Sequence, residues 1–431
     1  MPKNNKKVKF RYDDIFHIQQ PPRDEFLTLM QQIFRCARWF GIAGTSKYYW
    51  KLWGIVLLLC LTVVEIGSIW KVVKALAGWA VSTTGHRSVT ARLAGATLYT
   101  NAVLSLILTW RISSSWGKIA DYWIIIERAI IARIPRDEYL DKKMIAVGLF
   151  FIICGLDDYS TSVAMSLIIL STVATILWNF QDMLLVLITL GLASRYRRIN
   201  SYVASYCTKN EKETDFKNLD TVEIFTWRKI REAYVKQATL VRKVNDKVGP
   251  LILLSNSCNF YFTCLQLFLG ITQGMTDTGL TQMYYLSSFI WLCLRTTLVV
   301  LSAADVNVSS NLFSQGMTDT GLTQMYYLSS FIWLCLRTTL VVLSAADVNV
   351  SSKGALPYIY EYPTKEYNLE IERLQYQLSK DYVALSGMGF FFLTKSLLLQ
   401  MAGAVVTYEL VLIQFDDTDH NSTDTINATM I

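Results

Sequence analysis

Apolar residues fall along this chain in long runs, each closed by polar or charged residues. The runs lie near Tyr49–Ile69, Val89–Trp110, Met144–Leu170, Val173–Ala193, Pro250–Ile271, Tyr284–Ala304, Tyr326–Ala346 and Phe390–Ile413. A helix needs about 20 apolar residues to cross roughly 30 Å of hydrocarbon, and these runs reach that length. Backbone groups in lipid have to be satisfied within their own segment, so each run is predicted to be a helix. The pattern therefore predicts an all-α, polytopic membrane protein. Two stretches are patterned differently. PRDEFLTLMQQIFRCARWF (Pro22–Phe40) and EYNLEIERLQYQLSKDYVAL (Glu366–Leu385) alternate apolar and polar residues at helical spacing. They are expected to pack as helices beneath the membrane, with an interfacial position as the alternative.

Composition agrees. Of 431 residues, 52% are hydrophobic and 17% charged, against about a quarter charged in soluble domains. The net charge of +7 sits between the runs rather than on one face, which argues against nucleic acid. Eight cysteines show no CxxC or metal-ligand spacing and are expected to be buried free thiols. The three histidines lie far apart, and no catalytic triad, phosphate loop or metal cluster stands out. Neither an enzyme nor a cofactor is expected. The basic, polar start MPKNNKKVKFRYDD lacks the apolar core of a cleavable signal, so the first span is expected to target the chain.

Lysine and arginine crowd the segment before the first span, the connection after the second and the connection after the fourth. The positive-inside rule puts these on the cytoplasmic side, with the N-terminus inside. That threading opposes a metabotropic seven-helix receptor. A secondary transporter would show paired Gly/Pro breaks, and Pro250 is the one proline at a span edge.

A perfect repeat interrupts the pattern. QGMTDTGLTQMYYLSSFIWLCLRTTLVVLSAADVNVSS occurs at Gln273–Ser310 and again at Gln315–Ser352. Architectural repeats diverge, whereas identity through the loop positions points to a recent duplication. The sixth span is thus duplicated, giving eight apolar spans for a seven-helix plan. Seven spans put the C-terminus outside, where the sequons at Asn421 and Asn427 can be glycosylated.

In the last run, Gly403, Thr407, Leu410, Val411 and Gln414 share one helical stripe. Small and polar residues on one face suit either a tight helix interface or a water-filled path. Gln414 also stands where it could simply reach the membrane surface. Glu409 would cost roughly 2.5–3.5 kcal/mol at mid-bilayer and is expected to face protein or water.

Four stretches then resemble one family. VTYELVLIQF (Val406–Phe415) resembles the TYhhhhhQF signature of insect gustatory receptors, and its TYE form resembles their sugar-receptor branch. WNFQDMLLVLITLGLASRYRRIN (Trp178–Asn200), WRKIREAYVKQATLVRKVNDKVGPLILLSNSCNFYFTCLQL (Trp227–Leu267) and VALSGMGFFFLTKSLLLQMAG (Val383–Gly403) are similar to that branch's fourth, fifth and last helices. The duplicated span has no family counterpart, and the connection around GLDDYSTS is short for it. The resemblance implies a seven-transmembrane-helix insect chemoreceptor channel fold with the C-terminus extracellular. It further implies a sugar-gated, non-selective cation channel of sweet taste, in the plasma membrane of a gustatory neuron. Its subunits would form a homo-tetramer or a hetero-tetramer with related receptors, surrounded by lipid. An odorant-receptor-like channel shares that architecture.

Carried onto this sequence, the resemblance makes Gln414 and Phe415 candidates for the gate, with Thr407, Leu410 and Val411 lining the path. Asp416 and Asp417 would form an acidic mouth that concentrates cations, or else an ordinary polar boundary. Sugar recognition needs an aromatic face and directional polar groups. Trp178, Asn179, Gln181 and Asp182 at the outer start of the fourth helix are the candidates, with Tyr285, Trp291 and Arg295 from the sixth span. Trp and Tyr there would equally suit an interfacial belt. Arg295 and its copy Arg337 each need a partner or a wet pocket.

The division expected is a cytoplasmic helical region 1–48, spans one to four in 49–197 and a cytoplasmic anchor connection 198–249. Spans five and six follow in 250–313, the duplicate in 314–352, a cytoplasmic helix in 353–388, the pore-lining helix in 389–415 and the tail in 416–431.

Overall fold

The computed structural model describes residues 25–42, 48–77, 87–130, 140–153, 165–210, 220–273, 319–362, 369–408 and 410. These residues are almost wholly helical: α1 (Glu25–Ala37), α2 (Tyr48–Leu76), α3 (Arg87–Ile130), α4 (Leu140–Ile153) and α5 (Met165–Asn210) come first. Then follow α6 (Asp220–Gln273), α7 (Asp319–Ser352), α8 (Leu356–Glu361) and α9 (Leu369–Lys380). A final helix, α10, covers residues 395–408.

Five of these helices are long and apolar enough to cross a membrane, namely α2, α3, α5, α6 and α7. They differ in burial. In α2 only 17% of the apolar window is buried, so most of its surface is left for lipid, whereas in α5 the figure is 72%. Helix α5 is the axis of the fold, packed against α3, α4, α6 and α7. Its apolar residues run all round, as a helix enclosed by others requires; Leu184, Val186, Leu187 and Leu192 have no exposed surface.

Helix α1 shows how the amphipathic pattern is used. Phe26, Leu27, Met30, Phe34 and Ala37 form one buried stripe. Phe26 stacks on Trp123 of α3 at 4.6 Å between ring centres. A Cβ on Gly191 of α5 would come within 2.6 Å of the same Phe26 ring, so glycine there is what lets α1 approach. At α9 the stripe is Ile371, Leu374 and Leu378, docked against α6.

Three expectations change. The apolar run Met144–Leu170 does not stand apart from the next one: α4 covers Leu140–Ile153, and residues 165–170 are continuous with α5, the helix of the run Val173–Ala193. Nothing from Met165 to Trp178 breaks a helix, since the polar residues there are Ser and Thr, which tolerate helical backbone. Secondly, the last helix starts at residue 395 rather than Phe390. Before it, residues 385–393 turn back on themselves, with Leu393 N–H donating to Leu385 O at 2.8 Å and Gly387 N–H to Phe391 O at 3.0 Å. Met388 (φ 54°) and Gly389 (φ 84°) occupy left-handed backbone, which stops a helix from forming through them. This hairpin is fixed to α6: Asn245 accepts from Ser386 N–H at 2.8 Å and donates to Ser386 Oγ at 3.1 Å. Gly249, just before Pro250, leaves room for it, because a Cβ there would lie 3.3 Å from Ser386 O. Thirdly, Cys36 and Cys60 are exposed, unlike Cys207, Cys258 and Cys264. Cys60 is on the lipid-facing helix α2, where a small apolar thiol is tolerated without burial.

Candidate functional site

Trp178, Asn179 and Asp182 occupy positions i, i+1 and i+4 of α5, so they share one face. Ser255 and Asn259, spaced i and i+4, present a polar face on α6. Arg337 approaches both from α7. The three helices meet in a closed hydrogen-bonded cluster. Arg337 forms an ion pair with Asp182 through its Nε. Its Nη1 donates to Asn179 Oδ1 at 2.7 Å and its Nη2 to the Trp178 carbonyl at 3.0 Å. Asp182 also accepts from Ser255 Oγ and from Asn259 Nδ2, the latter at 3.0 Å. Asn259 Oδ1 in turn accepts from Trp178 Nε1 at 2.9 Å. The guanidinium carbon lies 4.2 Å from the centre of the Trp178 ring, and Phe262 packs on the same ring at 4.6 Å. Asp182 is 0% exposed and Arg337 1%.

A charge in such a place is costly unless paired and hydrogen-bonded. Here each nitrogen of the guanidinium has an acceptor, and both carboxylate oxygens have donors. The cluster is chemically a sealed clasp. A polyhydroxylated ligand could enter it only by exchanging its own hydroxyls for some of these contacts.

Of the sugar-site candidates, Trp178, Asn179 and Asp182 are brought together directly. Gln181 points elsewhere, donating from Nε2 to Asn101 Oδ1 of α3 at 3.2 Å. Tyr285, Trp291 and Arg295 lie outside the described residues. Their second-copy equivalents are on α7: Arg337 completes the clasp, and Trp333 packs half-buried against the core. Ser255, Asn259 and Asn101 were not singled out by the sequence. The signal that could have found the first two was the i, i+4 polar pair inside an apolar run.

At the other candidate, α10 leans on the core through Leu397, Leu398 and Met401. Its opposite surface is open in the single chain, with Leu399 72% exposed and Val406 38%. Thr407 is also exposed and donates to Gly403 O at 2.9 Å. Val411, Gln414, Phe415, Asp416, Asp417, Asn421 and Asn427 lie outside the described residues, as does Glu409.

Away from the clasp, a second charged group ties α6 to α9. Glu370 accepts from Arg231 Nε and from Arg373 Nη1, each at 2.8 Å. Burial works to raise the Glu370 pKa, but the bonds from Arg231 and Arg373 outweigh it and hold the carboxyl below its usual range. Arg242 pairs with Asp381 just beyond α9.

This arrangement of helices is found in a solved insect receptor. An olfactory receptor from Machilis hrabei, OR5 in complex with eugenol, superposes with a TM-score of 0.58 at 12% identity, over 91% of this chain and all of that one. The fold is accordingly that of an insect chemoreceptor, helical and built for a membrane. The family model described as trehalose receptor matches residues 133–320 and 312–424, and the chain belongs to that family, the sugar branch of the insect gustatory receptors. Each matched segment contains one copy of the repeat. Among curated relatives in Drosophila melanogaster, the gustatory receptor for sugar taste 64a is 30% identical over 60% of this chain and 45% of its own length. The gustatory receptor 5a for trehalose is 28% identical over 56% of this chain and 42% of its own. The chain thus spans about half the length of the curated relatives it matches.

Proposed function

We propose that this protein is a sugar-gated, non-selective cation channel of the insect gustatory system, assembled from four subunits in the plasma membrane of a taste neuron. The observation that carries the reading is the clasp of Asp182 with Arg337, Asn179 and Asn259 beside the Trp178 ring. It places directional donors and acceptors at one point between three helices, beside a Trp178 ring that a sugar would reach by displacing the Arg337 guanidinium from it. Donors, acceptors and an aromatic face are the chemistry a sugar requires. A sugar that takes over some of these bonds loosens α7 from α5 and α6, and so couples binding to helix movement. Family membership supports the ligand class, because relatives of this chain are named for sugar and trehalose taste.

In this reading seven spans operate, with the N-terminus cytoplasmic and the C-terminus extracellular. Helix α7, from the second copy of the repeat, serves as the sixth. The open side of α10 faces the same helix of neighbouring subunits around a central path. Gln414 and Phe415 close that path, Thr407, Leu410 and Val411 line it, and Asp416 and Asp417 form its mouth. The test is current recording from cells expressing the full chain, challenged with glucose, fructose, sucrose, maltose and trehalose. A sugar-evoked inward cation current, smaller in Asp182→Asn at equal surface density, is expected. Silence under all five sugars with the chain at the surface would defeat the proposal.

A further inference from the structure

A cavity lies apart from the clasp. It is a cleft of about 310 Å³ between α2, α3 and α6, walled by Val72 and Val73, Leu93, and Leu254 with Cys258. That volume is at the lower end of the roughly 300–1,000 Å³ seen for small-molecule pockets. Val73 is 45% exposed and Leu93 42%, so the cleft opens on the lipid-facing side of α2 and α3. At its floor is Asn101, 0% exposed. The carboxamide oxygen of Asn101 is engaged by Gln181, but its Nδ2 has no partner. A buried amide donor left unpaired is costly, which marks a position prepared for an acceptor.

Two more polar groups line the same cleft. Thr97 and Thr100 donate their hydroxyl hydrogens to Leu93 O and Ala96 O, each at 2.9 Å. Their oxygens keep lone pairs that can accept. The site thus offers one N–H donor and hydroxyl acceptors in otherwise apolar walls. We propose that it binds a small lipid-soluble alcohol, which enters from the bilayer, accepts from Asn101 Nδ2 and donates to Thr97 or Thr100. A hydrocarbon leaves the amide unmet. A sugar is excluded because its other hydroxyls would be buried against Leu93, Val73 and Leu254 without partners.

The occupant is a neighbour of the clasp without belonging to it. Gln181, bonded to Asn101, precedes Asp182, and Cys258 in the wall precedes Asn259. The site therefore stands independently of whether the clasp takes a sugar, and its test reads binding alone. Full-length protein in lipid nanodiscs is irradiated with a diazirine analogue of n-octanol, and labelled residues are mapped by mass spectrometry. Label is expected on residues 69–73, 93–101 and 254–258, displaced by excess n-octanol and not by n-octane. Asn101→Leu should weaken labelling about fivefold, the weight of one neutral hydrogen bond. Equal displacement by n-octane would show a cleft filled by any acyl chain and overturn the proposal. Label absent from these segments, or unchanged in Asn101→Leu, would do the same. Should that variant not fold, the n-octanol against n-octane comparison on the unaltered chain decides the matter.

Discussion

Arg337 and Asp182 face each other across the junction of α7 and α5 as an almost completely buried ion pair. The pair is the reason α5 and α7 can hold these two charges inside the bundle, where each would be costly alone. It also fixes their register, since a shift of one residue would leave a guanidinium among apolar side chains.

Removing one partner should therefore be far worse than removing both. Asp182→Ala leaves an uncompensated buried cation and is expected to cost about 3–5 kcal/mol of stability. The double change Asp182→Leu with Arg337→Met should recover most of that loss, while abolishing the response to sugar. Thermal unfolding in detergent, followed by size-exclusion of the surviving fraction, separates the two. If the double variant is as unstable as Asp182→Ala, the clasp is not a simple charge pair.

Part of this arrangement was legible in the sequence. Trp178, Asn179 and Asp182 share a helix face by spacing alone, and an arginine inside a span demands a partner. What spacing could not give was which face of α6 meets them, because Ser255 and Asn259 acquire their role only when α6 packs beside α5. Nor could spacing show that Arg337 and Phe262 pack on the Trp178 ring. Nor could hydropathy assign residues 165–170 to a helix. Residues 165–170 are as apolar as a span and read as the end of the third run, yet they are continuous with α5. The hairpin at 385–393 was hidden for a related reason, as Phe390–Phe392 read as span while Gly387, Met388 and Gly389 bend the chain.

The repeat gives a prediction about topology. Deleting residues 273–314 yields the same sequence as deleting the other copy with its linker, so one variant represents both. If seven spans operate, Asn421 and Asn427 carry glycans in this deletion variant and in the full chain alike. A glycosidase-sensitive gel shift in both is the expected result. A shift in the deletion variant alone would mean that both copies cross the membrane in the full chain.

Glu370 sets a pH limit on the contact between α6 and α9. Its carboxyl pKa is lowered in the folded chain from the ordinary 4.5. Such a group adds stability that is present above its unfolded pKa and is lost as pH falls through the folded one. Wild type should consequently be more heat-stable than Glu370→Gln at neutral pH, with the gap closing below about pH 4.5 as the carboxylate is protonated. Melting curves of both proteins across that range would check it. A gap that stays constant into acid would assign the effect to packing rather than to Arg231 and Arg373.

The open side of α10 makes the last prediction. A helix with Leu399 72% exposed and Val406 38% exposed in the single chain needs lipid or another subunit against it. Thr407 cannot decide between these, because its hydroxyl is satisfied by Gly403 O within the helix. The choice falls on the residues that follow. Phenylalanines gathered at an axis close a path by excluding water, and amides beside them replace hydration when it widens. Phe415→Ala is therefore expected to raise the current without sugar, and Gln414→Ala to change the relative permeability of cations, each with normal surface expression. Recording both variants in the same cells as wild type, with surface protein measured by biotinylation, gives the comparison. If both conduct and close as wild type does, the helix end contacts lipid instead, and the ions pass elsewhere.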